Sequence, residues 1–320
     1  MTAIAAEGSP AIQDGFEHPA LFYAGRSEYL EGTVPFIEDG LSADEPVAAA
    51  VPRHNLDSLR RALGSAADRV MLVDMADAGA NPGRIIPGVL RSFVDANKGS
   101  RRIRIIGEPI WPGRSELEYP ACVQHEALLN LAFDGRPVTK LCPYDTDGLS
   151  AQAIADACAT HPLLIDRTGR HPSERYDPDR ILDAYNLPLD PAPKYAVERS
   201  ADSSTLDNAR WFVTSYARAA GMTGLQLVDL EIVITELLAN SIRHGGGTGA
   251  FRIWTEPSHL VCEVSDAGHI TDPLAGRMPT DETQFHGRGL VFVNQIVDLL
   301  RVHTSPRGTT VRCYLRLPAA

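Results

Sequence analysis

Nothing in the 320-residue sequence approaches an apolar run of roughly 20 residues, the length a helix needs to cross a bilayer, which excludes a helical membrane span. Met1 to Pro10 has neither the basic start nor the apolar core of a signal peptide, so a cytoplasmic protein is expected. Cysteine is sparse. The five thiols, Cys122, Cys142, Cys158, Cys262 and Cys313, are irregularly spaced without a CxxC pair. That excludes a disulfide framework or a zinc ribbon and leaves buried, reduced thiols as the expectation. Basic charge is also in deficit. A net charge of -11 opposes direct binding to DNA, whose phosphates demand a basic footprint. Any role in transcription would run through another protein. The phosphate-loop pattern GxxxxGK[ST] is missing as well. What remains is 44% hydrophobic and 22% charged residues, the balance of an ordinary globular protein, in a chain long enough for two cores.

The first half alternates short apolar runs with amphipathic stretches. Strands are expected at Pro46–Val51, Val70–Asp74, Ile103–Gly107, Val138–Tyr144 and Leu163–Ile165. Helices are expected at Glu28–Leu41, Asn55–Leu63, Ile85–Ala96, Val123–Phe133 and Ala151–Ala159. Continuous apolar strands separated by helices predict an α/β domain with a parallel sheet covered on both faces. Residues 1–16, small and polar, are expected to be a flexible tail. The proline-dense stretch Asn186-Leu-Pro188-Leu-Asp-Pro191-Ala-Pro193 lacks periodicity and marks a break. The division is therefore a first domain at 17–190, a Pro-rich linker at 191–200 and a second domain at 201–320.

The second half begins with helices. Ser204-Thr-Leu-Asp207 has the form of a capping box opening a helix that runs to Gly221. A second helix, about Leu225 to Arg243, ends at Gly245-Gly246-Gly247. Strands follow at Ala250–Glu256 and Leu260–Asp266, then a strand-free stretch from Ala267 to Gly287. A helix at Leu290–Asp298 and strands at Leu300–Thr304 and Thr309–Leu317 complete an α+β sandwich.

In the second helix Glu236 and Asn240 are four residues apart and share a face, while Leu230, Ile234, Leu237 and Leu238 form the buried stripe. A carboxylate beside a carboxamide suits a Mg2+–nucleotide site, although the pair alone reads better as a solvated polar face. Ser265-Asp266-Ala267-Gly268 follows an apolar strand. An aspartate there can accept a hydrogen bond from an exocyclic amine, and Gly268 lets a planar base approach the backbone. Gly287-Arg288-Gly289-Leu290 opens a helix whose first N–H groups can receive phosphates.

The order and spacing of these motifs resemble the GHKL ATPases. Glu236-Leu-Leu-Ala-Asn240-Ser-Ile-Arg-His244 is similar to their N box and Asp266-Ala-Gly268 to their first glycine box. Gly287-Arg-Gly289-Leu290 is similar to the second, and Gly308-Thr309-Thr310 to the closing strand. The resemblance covers residues 200–317 and is nearest to the anti-sigma-factor serine kinases. It implies a Bergerat-type sandwich binding ATP and Mg2+. Asn240 would ligate Mg2+, Asp266 would read adenine, and Gly287 and Gly289 would cradle the phosphates, with Gly268, Arg288, Leu290 and Thr309 at the same site. Glu236 would be the general base toward an acceptor hydroxyl. One departure is visible: a further glycine usually follows the first, whereas Gly268 is followed by His269 and Ile270.

In the first half, His18-Pro-Ala-Leu-Phe22-Tyr23, Pro120-Ala-Cys122-Val-Gln-His125-Glu126, Leu141-Cys142-Pro143-Tyr144-Asp145 and His161-Pro162 resemble the methanogen/methylotroph sensory domain (MEDS). That family implies a RecA-like three-layer fold with a degenerate P-loop and a role in sensing. Gly32-Thr-Val-Pro-Phe-Ile-Glu-Asp-Gly40 stands where the P-loop helix would begin but lacks the lysine and the glycine cradle. Cys122 and His125, at i and i+3, are candidate metal or haem ligands with His18 or Cys142, but a structural role suits them better. The other histidines, His161 among them, receive no role. Trp111, Trp211 and Trp254 are expected as core anchors. Gln124-His125-Glu126-Ala-Leu-Leu-Asn130 superficially resembles a histidine-kinase phosphoacceptor box, yet a strand follows where the partner helix should be.

The expectation is thus a signal-responsive anti-sigma factor with ATP-dependent serine/threonine kinase activity. Its partners would be a sigma factor, an anti-anti-sigma protein of the STAS type and a second copy through the C-terminal domain. An unidentified small molecule would act at the N-terminal domain, with no nucleic acid or membrane involved. Alternatives are a non-catalytic, nucleotide-gated sequestering module, a ligand-sensing ATPase without a protein substrate, and a histidine-kinase-like ATPase.

Overall fold

Val47–Val51 reads Val-Ala-Ala-Ala-Val and every residue of it is buried, as expected of a strand covered on both faces. The structure, a computed structural model, describes residues 15–278 and 288–318. Its first half runs β1 (Pro19–Tyr23), α1 (Gly25–Ser42), β2 (Val47–Val51), α2 (Arg53–Leu63), β3 (Met71–Asp74), the single turn α3 (Met75–Ala78) and α4 (Arg91–Ala96). It continues with β4 (Ile103–Gly107), α5 (Tyr119–Ala132), β5 (Val138–Asp145), α6 (Ala151–Thr160), β6 (Leu163–Asp166), β7 (Gly169–Pro172) and α7 (Pro178–Tyr185). These strands form one sheet in the order β3-β2-β4-β5-β1-β6-β7, parallel except for β7.

The two faces carry separate cores. Leu21, Tyr23, Val47, Ala49 and Val51 pack against Tyr29 and Ile37 of α1 and Leu56 and Leu59 of α2. Ala20, Cys142 and Leu164 face the other way, onto Cys122, Val123 and Ala127 of α5 and Ala153 and Ala157 of α6. The chain is mixed α/β; the five strands expected in the first half correspond to β2 through β6, and β1 and β7 are additional. The segment Gly32–Gly40, however, lies inside α1, which starts at Gly25. Its glycines serve packing: a Cβ at Gly32 would lie 2.5 Å from Leu21 Cδ2, and one at Gly40 would lie 2.7 Å from Arg104 Cδ. The helix expected at Ile85–Ala96 is a π-helical turn, Ile85–Leu90, leading into α4. Of the expected tail, residues 1–14 lie outside the described residues, and Phe16 is not tail-like. Its ring stacks on His18 and Phe133 at 5.3 and 5.4 Å.

The second half comprises β8 (Val197–Ala201), α8 (Leu206–Ala219), α9 (Leu225–His244), β9 (Gly249–Thr255), β10 (His259–Asp266), α10 (Gly289–Ile296), β11 (Leu299–Ser305) and β12 (Gly308–Arg316). The strands form an antiparallel sheet, β11-β12-β10-β9-β8. Its helix-covered face joins Phe251, Ile253, Cys262, Val264 and Cys313 to Val213, Leu230, Ile234, Leu237 and Val293. On the opposite face Trp254, Val261, Leu299 and Tyr314 pack with Ala121 of α5 and with Ala192 and Ala196 of the connecting segment.

Three expectations need correction here. The proposed linker 191–200 is partly a strand, because residues 197–201 pair with Gly249–Ile253 of β9. No Ser204–Asp207 box forms: the N-cap of α8 is Thr205, which makes no side-chain cap bond, and the Asp202 carboxylate orders the turn before it by accepting from the backbone N–H and hydroxyl of both Ser204 and Thr205. Trp254 is a core anchor, but Trp211 is 71% exposed.

Candidate nucleotide site

Helix α9 is held by its buried stripe, Leu230, Val233, Ile234, Leu237 and Leu238, so Glu236 and Asn240 project from its other side, half-buried. They meet the start of α10. A Cβ at Gly289 would lie 2.5 Å from Glu236 Oε2 and 3.3 Å from Asn240 Nδ2, so only glycine lets the two helices approach this closely. Arg288 is the N-cap of α10 and its side chain makes no cap bond, so among the described residues the first-turn N–H groups carry no side-chain cap. Gly287 lies outside the described residues.

Asp266 ends β10. Its Oδ2 accepts from Ser241 Oγ at 2.6 Å, and its Oδ1 accepts from the Gly268 N–H at 2.8 Å. The carboxylate is therefore fixed in orientation by a donor on each oxygen. The backbone around it is tight: a Cβ at Gly245 would fall 2.4 Å from Asp266 Cγ, and one at Gly268 would fall 2.6 Å from the His244 carbonyl oxygen. Thr309, buried at the start of β12, donates to the Gly268 carbonyl at 2.8 Å and exchanges a 2.7 Å bond with Thr304.

These groups surround a cleft of about 440 Å³ lined by Asn240, Asp266, Gly268, Gly289, Leu290 and Thr309, with Val264, Ile270 and Met278 as apolar wall. That is the size and character of a small-molecule site, a few fixed polar groups in an apolar surround. Glu236 is not among the lining residues and flanks Gly289 at the edge. The donor set fits an adenine nucleotide: an oriented carboxylate at one end, uncapped helical N–H groups at the other, and a carboxamide between them. Ser241, which orients Asp266, went unread in the sequence although it adjoins Asn240, and so did Gly245.

His125 cannot serve as a phosphoacceptor in this arrangement, because it is fully buried within α5. It does not join Cys122 as a ligand pair either. His18 and Cys142 come together instead with Glu126 and His161, all four buried.

Comparison with known proteins accords with this geometry. Residues 17–162 match the family described as the methanogen/methylotroph, DcmR sensory domain, MEDS. Residues 199–315 match the histidine kinase-like ATPase domain. No curated protein matches the chain. Among solved structures, the RsbU and RsbW domains of Rv1364c from Mycobacterium tuberculosis align at 18% identity with a TM-score of 0.31, covering 40% of this chain and 34% of that one. This chain thus spans about a third of the length of that relative. The protein joins a MEDS sensory domain to a histidine kinase-like ATPase domain of the GHKL type.

Proposed function

We propose that the protein is a cytoplasmic, signal-responsive anti-sigma factor whose ATPase domain phosphorylates a serine or threonine of a STAS-type partner. The observation that carries this reading is the meeting of Glu236 and Asn240 at the uncapped start of α10, across the cleft from the oriented Asp266. Bound ATP with Mg2+ supplies the transferable phosphoryl group. Asp266 accepts a hydrogen bond from the base edge, Asn240 offers its carbonyl oxygen to the cation, and the N–H groups at Gly289 and Leu290 hold phosphate oxygens. Glu236, at the cleft edge and not in its lining, is placed to accept a proton from a hydroxyl that enters from outside. A pure sequestering module needs no such base.

Pairing of two copies is part of the proposal. Helix α8 exposes Trp211, and α9 exposes Leu225, Val228 and Ile232 at i, i+3 and i+7, an apolar face on the ATPase domain.

Contacts between the domains support signal responsiveness. Asn81 Nδ2 donates to the Asn294 carbonyl at 2.9 Å, and Arg84 donates to the carbonyls of Asn294 and Val297 at 3.0 and 2.6 Å. The sensory domain therefore caps the C-terminal end of the helix whose N-terminal end faces the nucleotide cleft. The test is incubation of the full-length protein with γ-labelled ATP, Mg2+ and a panel of STAS-domain proteins. Label should appear on a serine or threonine of one of them. ATP binding without label transfer to any partner would favour a nucleotide-gated sequestering module.

A further inference from the structure

The centre of the sensory domain holds a buried polar cluster with no part in the nucleotide chemistry. His18 immediately precedes β1, Glu126 lies on α5, Cys142 on β5 and His161 just before β6. Strands β5, β1 and β6 are neighbours in the sheet, so residues 124 or more positions apart in two cases converge there. His18 Nε2 is 3.0 Å from Glu126 Oε2, and His161 Nε2 is 3.2 Å from the same oxygen. Cys142 Sγ is 3.3 Å from His18 Nε2 and 3.4 Å from Glu126 Oε2.

The outer partners fix both imidazole tautomers. Asn130 gives its amide N–H to the Thr160 carbonyl, which turns its Oδ1 toward His18 Nδ1 at 3.1 Å. His18 Nδ1 must therefore carry the proton. His161 Nδ1 lies 2.9 Å from the Ala157 carbonyl, which can only accept, so it too is the N–H. Both Nε2 lone pairs then point at a carboxylate oxygen. Two imidazole lone pairs converge within 3.2 Å of the shared oxygen, with Cys142 Sγ 3.4 Å from it, and the Cys142 proton can satisfy only one contact. A cation at the centre resolves the conflict.

We propose that His18, Glu126, Cys142 and His161 form a closed four-ligand site for a borderline divalent metal ion, with Zn2+ the ion that best suits the donor set. Zinc bond lengths of about 2.0–2.3 Å in a tetrahedron require ligand atoms about 3.3–3.6 Å apart. The observed 3.0–3.4 Å contacts need only a few tenths of an ångström of expansion. Donation of the far ring nitrogen to a fixed acceptor is the usual outer support of a metal-bound histidine, here supplied by Asn130 and the Ala157 carbonyl. Lys140 Nζ sits 2.7 Å from Cys142 Sγ and 3.2 Å from Glu126 Oε1, on the outer side of both ligand residues. The ion would tie β1, β5, β6 and α5 together at one point.

Metal analysis and cobalt substitution test the site. Full-length protein is stripped with a chelator, titrated with Zn2+ and quantified by mass spectrometry. A parallel sample takes Co2+, whose thiolate charge-transfer band reports a sulfur ligand. One zinc per chain is expected, with a cobalt band that is lost in Cys142→Ser and kept in Cys122→Ala. Asn130→Ala, which removes only outer support, should lower zinc affinity about 10- to 100-fold. Failure of the wild-type protein to hold stoichiometric zinc would overturn the proposal. So would a cobalt band that survives Cys142→Ser. Should Cys142→Ser not fold, the wild-type stoichiometry and the Asn130→Ala affinity decide.

Discussion

Replacing Asp266 by asparagine separates recognition of the base from support of the site. The carboxylate accepts two bonds, from the Gly268 N–H at 2.8 Å and from Ser241 Oγ at 2.6 Å. Asparagine keeps both contacts: its carbonyl oxygen accepts from Gly268, and its N–H donates to Ser241 Oγ once that hydroxyl turns. What changes is the charge offered to an exocyclic amine. A hydrogen bond to a charged group contributes about 1–1.5 kcal/mol more than a neutral one, so ATP affinity should fall roughly 5- to 13-fold while the melting temperature stays close to wild type. Asp266→Ala should lose the whole bond, about 1.5–3 kcal/mol or roughly 10- to 150-fold in affinity, and also destabilise the domain, since it strands the Gly268 N–H and the Ser241 hydroxyl. Isothermal calorimetry with ATP and Mg2+ measures the first effect and thermal melts the second. An Asp266→Asn protein that binds ATP within threefold of wild type would refute the assignment of the base-reading residue.

Four further outcomes are expected. Glu236→Ala should bind ATP normally but transfer phosphate about 100- to 10,000-fold more slowly, because a general base acts in the transition state; single-turnover assays with a phosphorylatable partner check this. Gly289→Ala should weaken ATP binding without unfolding the protein, since its methyl would fall 2.5 Å from Glu236 Oε2, and calorimetry would read the loss. Burial pushes the Glu108 carboxyl up to about 8 despite bonds from Asn55 and Tyr23. Between its unfolded value near 4.5 and about 8 the native state therefore holds the extra proton, so stability should fall as pH rises, by up to about 1.4 kcal/mol per pH unit. Urea melts of the wild type from pH 5 to 8 should show that slope and Glu108→Gln should flatten it. Joint Asn81→Ala and Arg84→Ala substitution should shift ATP affinity by about fivefold or more, the low end of typical coupling energies; equality with wild type in binding and phosphotransfer would remove the sensory domain from the mechanism.

The elements that announced themselves in the sequence were those with a local apolar signal. Val47–Val51 and Ile103–Gly107 are fully or largely buried runs, and α9 carries its stripe at helical spacing. Among the strands missed, β1 is an apolar, largely buried run of five residues that did carry the signal, whereas the other two had none. Most of β8 is exposed, and its reason to exist is backbone pairing with β9, which leaves no mark on side-chain pattern. Likewise β7, Gly-Arg-His-Pro, is a polar edge strand. Helix α7 did carry a sign, Asp177 followed by Pro178, the cap and first-turn residues of a helix. The nucleotide cleft was legible because each of its motifs is contiguous. The histidine–cysteine–glutamate cluster was not, since strand order alone brings His18, Cys142 and His161 together. The conspicuous i, i+3 pair Cys122 and His125 drew attention away from Glu126 one residue further on.

The same distinction alters how the two domains must communicate. A free proline-rich connector would act as a semi-rigid spacer and transmit motion through its stiffness. Instead the connector is absorbed into the ATPase sheet: Asn186 exchanges bonds with His303 and Thr304 of β11, the Asp190 carbonyl accepts from Arg312, and residues 197–201 form the far edge strand. A segment fastened at both edges of the sheet has little freedom left to carry a signal. The remaining route is direct. Asn81 and Arg84 hold the last carbonyls of α10, Asn294 ties that helix to the Gly276 carbonyl on the cleft wall, and Gly289 at its other end meets Glu236 and Asn240. An eight-residue helix is about 12 Å long and moves as a unit. In the proposed signalling role, a displacement of the Asn81–Arg84 turn would reach the Gly289 end of the cleft through a single rigid element.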